Sequence, residues 1–273
     1  YAGLLAVRYF LGLFESAITP GLILMTGRFY TRKEQMIRTA IWFSFNGWAQ
    51  VFAGFITYGI LRQGQPAHIK KWQELYIVLG ALTFTWGVLC FIIMPTSPDT
   101  TRYLNQEQKG IAIYRVAENK SGIHDSRFKW SQFKEALLDV RLYMFFLGYA
   151  SICVTNGGIT SYSSQIVKEF NFSNEDAALL GMAQGFAEVV AIFMGAAIFA
   201  WCNRRDIPSM LGLIIAVVGS IMMVSLGADK NPSRMAGTYL SQSFLTTQAF
   251  VSSPSFLYQC PFSTTGKVCP YQE

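Results

Sequence analysis

Two opposite charges stand seven residues apart in the apolar stretch VRYFLGLFESAITPG, residues 7–21: Arg8 and Glu15. Seven residues is close to two helical turns, so on a helix both fall on one stripe with Gly12 and Thr19, about 10 Å apart along the axis. That gap is too long for a direct ion pair and leaves room for a ligand or a side chain from another helix. A guanidinium keeps its charge and meets a carboxylate bidentately, so Arg8 suits the capture of an anion. A carboxyl inside an apolar segment is a natural point of proton exchange, the role this reading gives Glu15. The structural alternative is that each charge pairs with a neighbouring helix and only orients the bundle.

A charge at mid-bilayer costs about 2.5–3.5 kcal/mol, so survivors need a reason. Of the 16 acidic residues only Glu15 and Glu188 fall inside apolar blocks, and of the 22 Lys and Arg only Arg8 does. Glu188 is read either as a second proton site or as the partner of an arginine on another helix. Several uncharged polar residues join the candidates. Asn46 and Gln50 lie one turn apart, as do Gln184 and Glu188. Asn156 and Tyr162 flank the double glycine of NGGITSY, where a helix is expected to open and free backbone groups for a ligand. Hydrogen bonding between helices, at about 0.6 kcal/mol each, is the plainer account of the uncharged ones.

The elements that position these residues follow from composition. The 273 residues are 52% hydrophobic and only 14% charged, with mean hydropathy +0.30. A soluble domain is nearer a quarter charged. Here the apolar residues pool into blocks at about 4–28, 39–61, 75–95, 142–163, 177–201, 209–228 and, more weakly, 235–257. Such lengths cross a hydrocarbon core of about 30 Å as helices, and they lack the alternation of barrel strands. The fold class is all-α integral membrane.

Lys and Arg orient the spans. The first connection (Arg28, Arg32, Lys33, Arg38), the third (eight from Arg102 to Arg141) and the fifth (Arg204, Arg205) outweigh the even ones. The odd connections are therefore cytoplasmic. The net charge of +6 comes from these loops, which argues against a nucleic-acid partner and for the lipid bilayer. The longest connection, 96–141, holds RYLNQEQKGIAIYRVAEN and FKWSQFKEALLDV, two helical patterns joined near SGIHDS and expected to lie along the membrane face. The domains are then 1–95 with three spans, a cytoplasmic loop 96–141, 142–257 with four spans, and an atypical tail 258–273.

Beyond these segments the sequence offers little chemistry. His68 and His124 are loop residues, and no cysteine pair has metal-ligand spacing, so neither a metal nor a cofactor is expected. Cys90, Cys153 and Cys202 are packing residues. Cys260 and Cys269 lie on the reducing side, which disfavours a disulfide. Asn171 is an outer-side glycosylation sequon and Asn119 a cytoplasmic, silent one.

VRYFLGLFESAITPG followed by RFYTRKEQMIRTAIWFSFNGWAQVFAGFITYGIL resembles the fourth and fifth helices of a major facilitator transporter of the anion:cation symporter group, most like the fungal allantoate permease family. The similarity continues through MPTSPDTTRYLNQEQKGIAIYRVAENKSGI and FKWSQFKEALLDVRLYMFFLGYASICVTNGGITSYSSQIVKEFNFS, over residues 3–245. The resemblance implies helices four to ten of a twelve-helix bundle whose halves rock about a midplane site, so about 7 of 12 spans are present. It also implies that Arg8 binds a substrate carboxylate and that Glu15 is the proton-linked acid. After about Ser243 the sequence departs from the family pattern, and the start at Tyr1 fits a piece of a longer protein.

The expected function is secondary active, proton-coupled uptake of a small organic anion at the plasma membrane. A ureide, a carboxylate or a vitamin such as allantoate, nicotinate or pantothenate is the expected substrate. The candidate substrate contacts are Arg8, Asn46, Gln50, Asn156, Tyr162 and Gln184; the candidate proton sites are Glu15 and Glu188. The alternatives are a truncated, inactive transporter or a seven-span receptor. A receptor gives no account of Arg8 with Glu15, and an enzyme would need a nucleophile or metal cluster that the histidine census does not supply.

Overall fold

A computed structural model describes residues 2–62, 70–95, 97–98, 101–117, 130–169, 174–204, 206–225 and 231–252. Both histidines, the two sequons, Cys260, Cys269 and the tail 258–273 lie outside them. The described residues form helices and connections: α1 (Ala2–Glu15), α2 (Ile18–Phe29), α3 (Arg32–Arg62), α4 (Lys71–Ile93), α5 (Gln106–Ala117), α6 (Trp130–Leu138), α7 (Val140–Glu169), α8 (Asn174–Cys202), α9 (Asp206–Ser225), α10 (Asn231–Ser241) and α11 (Phe244–Val251).

Local chemistry sets several of these ends. Three helices open with a Glu or Gln at the third position reaching back to an orphan backbone donor. The N–H of Thr31 donates to Glu34 Oε2 (3.2 Å), that of Lys70 to Gln73 Oε1 (3.1 Å) and that of Asn105 to Gln108 Oε1 (3.1 Å). α8 stops at Asn203, whose φ of 51° is left-handed and whose N–H closes on Phe199 O at 2.8 Å. Asparagine tolerates that conformation better than most residues.

The expected first span is broken after Glu15. Pro20 has no N–H to offer the Ser16 carbonyl, and its ring crowds that turn. The backbone tightens there, with Ala17 N–H donating to Phe14 O at 3.4 Å and Ser16 Oγ to Leu13 O at 2.7 Å. The opposite correction applies at NGGITSY: α7 runs unbroken through Gly157 and Gly158, so the expected opening is absent. Nothing lies within 4 Å of a Cβ built on either glycine. The helical backbone satisfies itself, and no neighbour forces it apart.

Five helical stretches are long and apolar enough to cross a bilayer: Gly3–Phe29, Lys71–Ile93, Leu142–Tyr162, Ala178–Cys202 and Asp206–Ser225. The expected span 39–61 lies inside the 31-residue α3, which is ample in length, about 46 Å at 1.5 Å per residue, but more polar. The weak block 235–257 appears as two short helices, α10 and α11. Phe84, Trp86 and Phe91 on α4 are 74%, 68% and 91% exposed. Apolar surface of that kind is stable only against hydrocarbon or further protein.

The described residues fall into two compact units. The first holds residues 2–39 and 95–117. In it the α2–α3 turn is buttressed by Gln35, whose Nε2 donates to Tyr30 O at 2.9 Å, and by Arg38 stacked 4.9 Å from the Tyr30 ring. Arg115 of α5 pairs with Glu34 Oε1, while the next residue, Val116, is 1% exposed. The amphipathic helix expected at the start of the cytoplasmic loop is thus a packed element.

The second unit holds residues 40–94 and 130–251. α9 packs against α10 and α11 through small residues. A Cβ on Gly219 would fall 2.7 Å from Gly237 O, and one on Gly212 2.9 Å from Ser243 O. Ala216, Phe244 and Leu245 form the buried cluster, with Ile152 and Ile159 of α7 against it. Close backbone approach through small residues is the usual means of helix association where lipid removes the hydrophobic drive.

Candidate functional site

Glu188 sits on α8 with no exposed surface. Two carboxamides of α3 hold it: Asn46 Nδ2 donates to Oε1 at 2.9 Å, and Gln50 Nε2 donates to Oε2 at 3.0 Å. The one-turn spacing of Asn46 and Gln50 places two donors about 6 Å apart along one helix face. One donor therefore reaches each carboxylate oxygen. Gly47 lies between them and permits the approach, because a Cβ there would fall 2.5 Å from Gly185 O and 3.3 Å from Glu188 Cβ. Gln184, one turn before Glu188, is buried as well, at 5% exposure.

The structure thus joins three candidates that the sequence placed in separate pairs. The amide nitrogens of Asn46 and Gln50 serve Glu188. Both partners are neutral, and among the described residues no counter-charge pairs with the carboxylate. A helical-wheel reading of each block gives the two stripes but not that they face one another. The small residues at Gly47 and Gly185 were the available signal, as both sit beside the polar pair of their own helix.

Arg8 and Glu15 occupy one uninterrupted helix, α1, and both side chains are exposed on their unit. Thr19, expected on the same stripe, belongs to α2 beyond the break. Asn156 uses its Oδ1 to accept the Thr160 hydroxyl one turn on, at 2.9 Å. Tyr162 is 58% exposed.

The second unit also contains a cavity of about 590 Å³ between α7, α9 and α11, lined by Ser151, Thr155, Ala216, Ser220, Ile221 and Phe244 among others. Three of its hydroxyls are occupied: Ser151 donates to Leu147 O, Thr155 to Ser151 O and Ser220 to Ala216 O. The wall is effectively apolar, and no candidate residue lines it, so its size does not make it the site. Among the described residues, no group of three or more His, Cys, Asp or Glu is arranged to hold a metal ion.

A bundle of long apolar helices with sparse, hydrogen-bonded polar groups inside it defines a multi-pass integral membrane protein. The family model described as Major Facilitator Superfamily matches residues 1–265, and the chain belongs to that superfamily. Membership places it among transporter proteins and not among enzymes. It is 30% identical over 241 residues to an uncharacterized transporter of Schizosaccharomyces pombe, covering 88% of this chain and 47% of the relative. Over 249 residues it is 28% identical to the allantoate permease of Saccharomyces cerevisiae, covering 88% and 46%. A thiamine pathway transporter of Saccharomyces cerevisiae is 29% identical over 241 residues, covering 88% and 46%. The chain spans about half the length of these relatives. No solved structure matches it.

Proposed function

We propose that this chain is part of a secondary transporter that imports a small organic anion with protons across the plasma membrane. The observation that carries the reading is Arg8 with Glu15 on α1, a cation and an acid about two turns apart in the stretch Gly3–Phe29, which is long and apolar enough to cross a membrane. Arg8 holds the carboxylate of the substrate and Glu15 takes up the coupling proton. Likeness to proteins named for allantoate and for the thiamine pathway supports a ureide, a carboxylate or a vitamin as the substrate class. Asn156, Tyr162 and Gln184 are the further proposed substrate contacts, whereas Asn46 and Gln50 act on Glu188.

The test is uptake by the natively encoded protein in a host lacking its own carriers, with labelled allantoate, nicotinate and pantothenate at several external pH values. Saturable uptake of at least one, rising as the pH falls and collapsed by a protonophore, is the expected result. Uptake that ignores the proton gradient would remove the coupling, and no uptake of any organic anion would remove the substrate class.

A further inference from the structure

A carboxylate buried in a membrane helix ordinarily finds an arginine or a lysine. Glu188 has two carboxamides instead. On α3 there is no charge between Arg38 and Arg62, and on α8 Glu188 is the sole charge from Ala177 to Cys202. The helices packed on α8 carry theirs at the ends: Arg141, Lys168 and Glu169 on α7, Asp206 on α9, Arg234 on α10, none on α11. Their remaining titratable groups, with those of α3 and α8, are Arg32, Lys33 and Glu34 at the start of α3, Glu175 and Asp176 at the start of α8, and Tyr58, Tyr143, Tyr149, Tyr162, Tyr239, Cys153 and Cys202. Along these described helices, therefore, no Lys or Arg lies away from the ends.

Two amide donors satisfy an ionised carboxylate, one per oxygen, but not a neutral one. When an aqueous proton adds to either oxygen, that oxygen becomes an O–H donor and a much weaker acceptor, so the carboxamide opposite turns its own oxygen inward or keeps only a weakened bond. Asn46 is exposed while Glu188 itself is fully buried. The bonds lie beside the backbone contact of Gly47 with Gly185, where α3 and α8 have no slack to absorb a rearrangement.

Building on the proposed proton coupling, we infer that Glu188, Asn46 and Gln50 form a proton-released fastening between α3 and α8, closed when the carboxylate is ionised and loosened when it is neutral. Asn46 and Gln50 are positioning residues in this device, and Glu188 is its proton acceptor.

The test uses the natively encoded protein with spin labels at Phe45 and Phe186, exposed residues of α3 and α8, and reads their distance distribution against pH. Infrared difference spectra of unlabelled protein accompany it. Acidification should change the distance in the wild type and raise a carboxyl band. E188Q should show one fixed distribution at every pH and lack that band. Q50L and N46L each remove one donor to the ionised form, so their transitions should move to higher pH, which loosened packing alone would not produce. The same pH-dependent distance change and carboxyl band in E188Q would overturn the inference, as would unmoved transitions in both Q50L and N46L. These readouts need no substrate, so a failed uptake panel leaves them standing and tests only the transport reading.

Discussion

Gly47 and Gly185 meet backbone to backbone: a Cβ on the first would fall 2.5 Å from the carbonyl oxygen of the second, and a Cβ on the second 2.6 Å from that of the first. Both walls of the contact are main chain, so neither can yield by a rotamer change. Alanine at either position must push α3 from α8 and stretch the Asn46 and Gln50 bonds to Glu188.

Gly47→Ala and Gly185→Ala are therefore expected to cost about 1–3 kcal/mol, the range for overpacking. Gly158→Ala is the control, since the space around it is open and Ala is the better helix former by about 1 kcal/mol. Thermal unfolding of the detergent-solubilised protein should fall for the first two and hold or rise for the third. Equal effects at all three would show that the crossing is not tight.

Arg8→Ala should abolish substrate binding, and Arg8→Lys should restore little of it, because an ammonium cannot reproduce the two-pronged grip on a carboxylate. Glu15→Gln should leave substrate exchange at equal concentrations while removing the response to external pH. Counterflow and proton-driven uptake measured on the same vesicles separate the two roles. Wild-type affinity in Arg8→Ala would end the carboxylate assignment.

Glu34 does two jobs and Arg115 one. The pair between them is partly exposed, with side chains 58% and 36% accessible for Arg115 and Glu34, and such pairs contribute about 0.2–1 kcal/mol. Glu34 also accepts the Thr31 N–H at the start of α3, worth about 1 kcal/mol more. Glu34→Ala should thus destabilise more than Arg115→Ala, and high salt should shrink only the part they share. Equal losses in a thermal scan at high salt would contradict the capping role.

Gln242 is 1% exposed, and neither its Nε2 nor its Oε1 has a partner among the described residues. An unsatisfied buried amide costs about 1–3 kcal/mol. Gln242→Leu should be neutral or stabilising in the same assay, while Gln242→Glu should be strongly destabilising.

Much of the helical architecture was legible in the sequence because apolar block length is a local quantity. The two amphipathic helices expected in the long connection 96–141 emerged as α5 and α6 from three-to-four spacing alone. Pro20 stood in plain view within the first block, yet its effect depends on which carbonyl it leaves without a donor, and block-level hydropathy does not register that. The double glycine misled in the other direction: glycine permits a helix to open, and only a neighbour or a ligand compels it. Among the candidate site residues, Arg8 and Glu15 were legible as charges out of place. The bond from Asn46 to Glu188 spans 142 positions, and no periodicity within one block carries information over that separation.

The break after Glu15 has a metric consequence. Arg8 and Glu15 belong to the same unbroken helix, α1, and the chain bends only beyond the acid. Their axial spacing of about 10 Å is therefore set by helix rise alone. Whatever tilts or slides elsewhere in the protein, α1 works as a gauge of constant length, with the cation at one mark and the acid at the other.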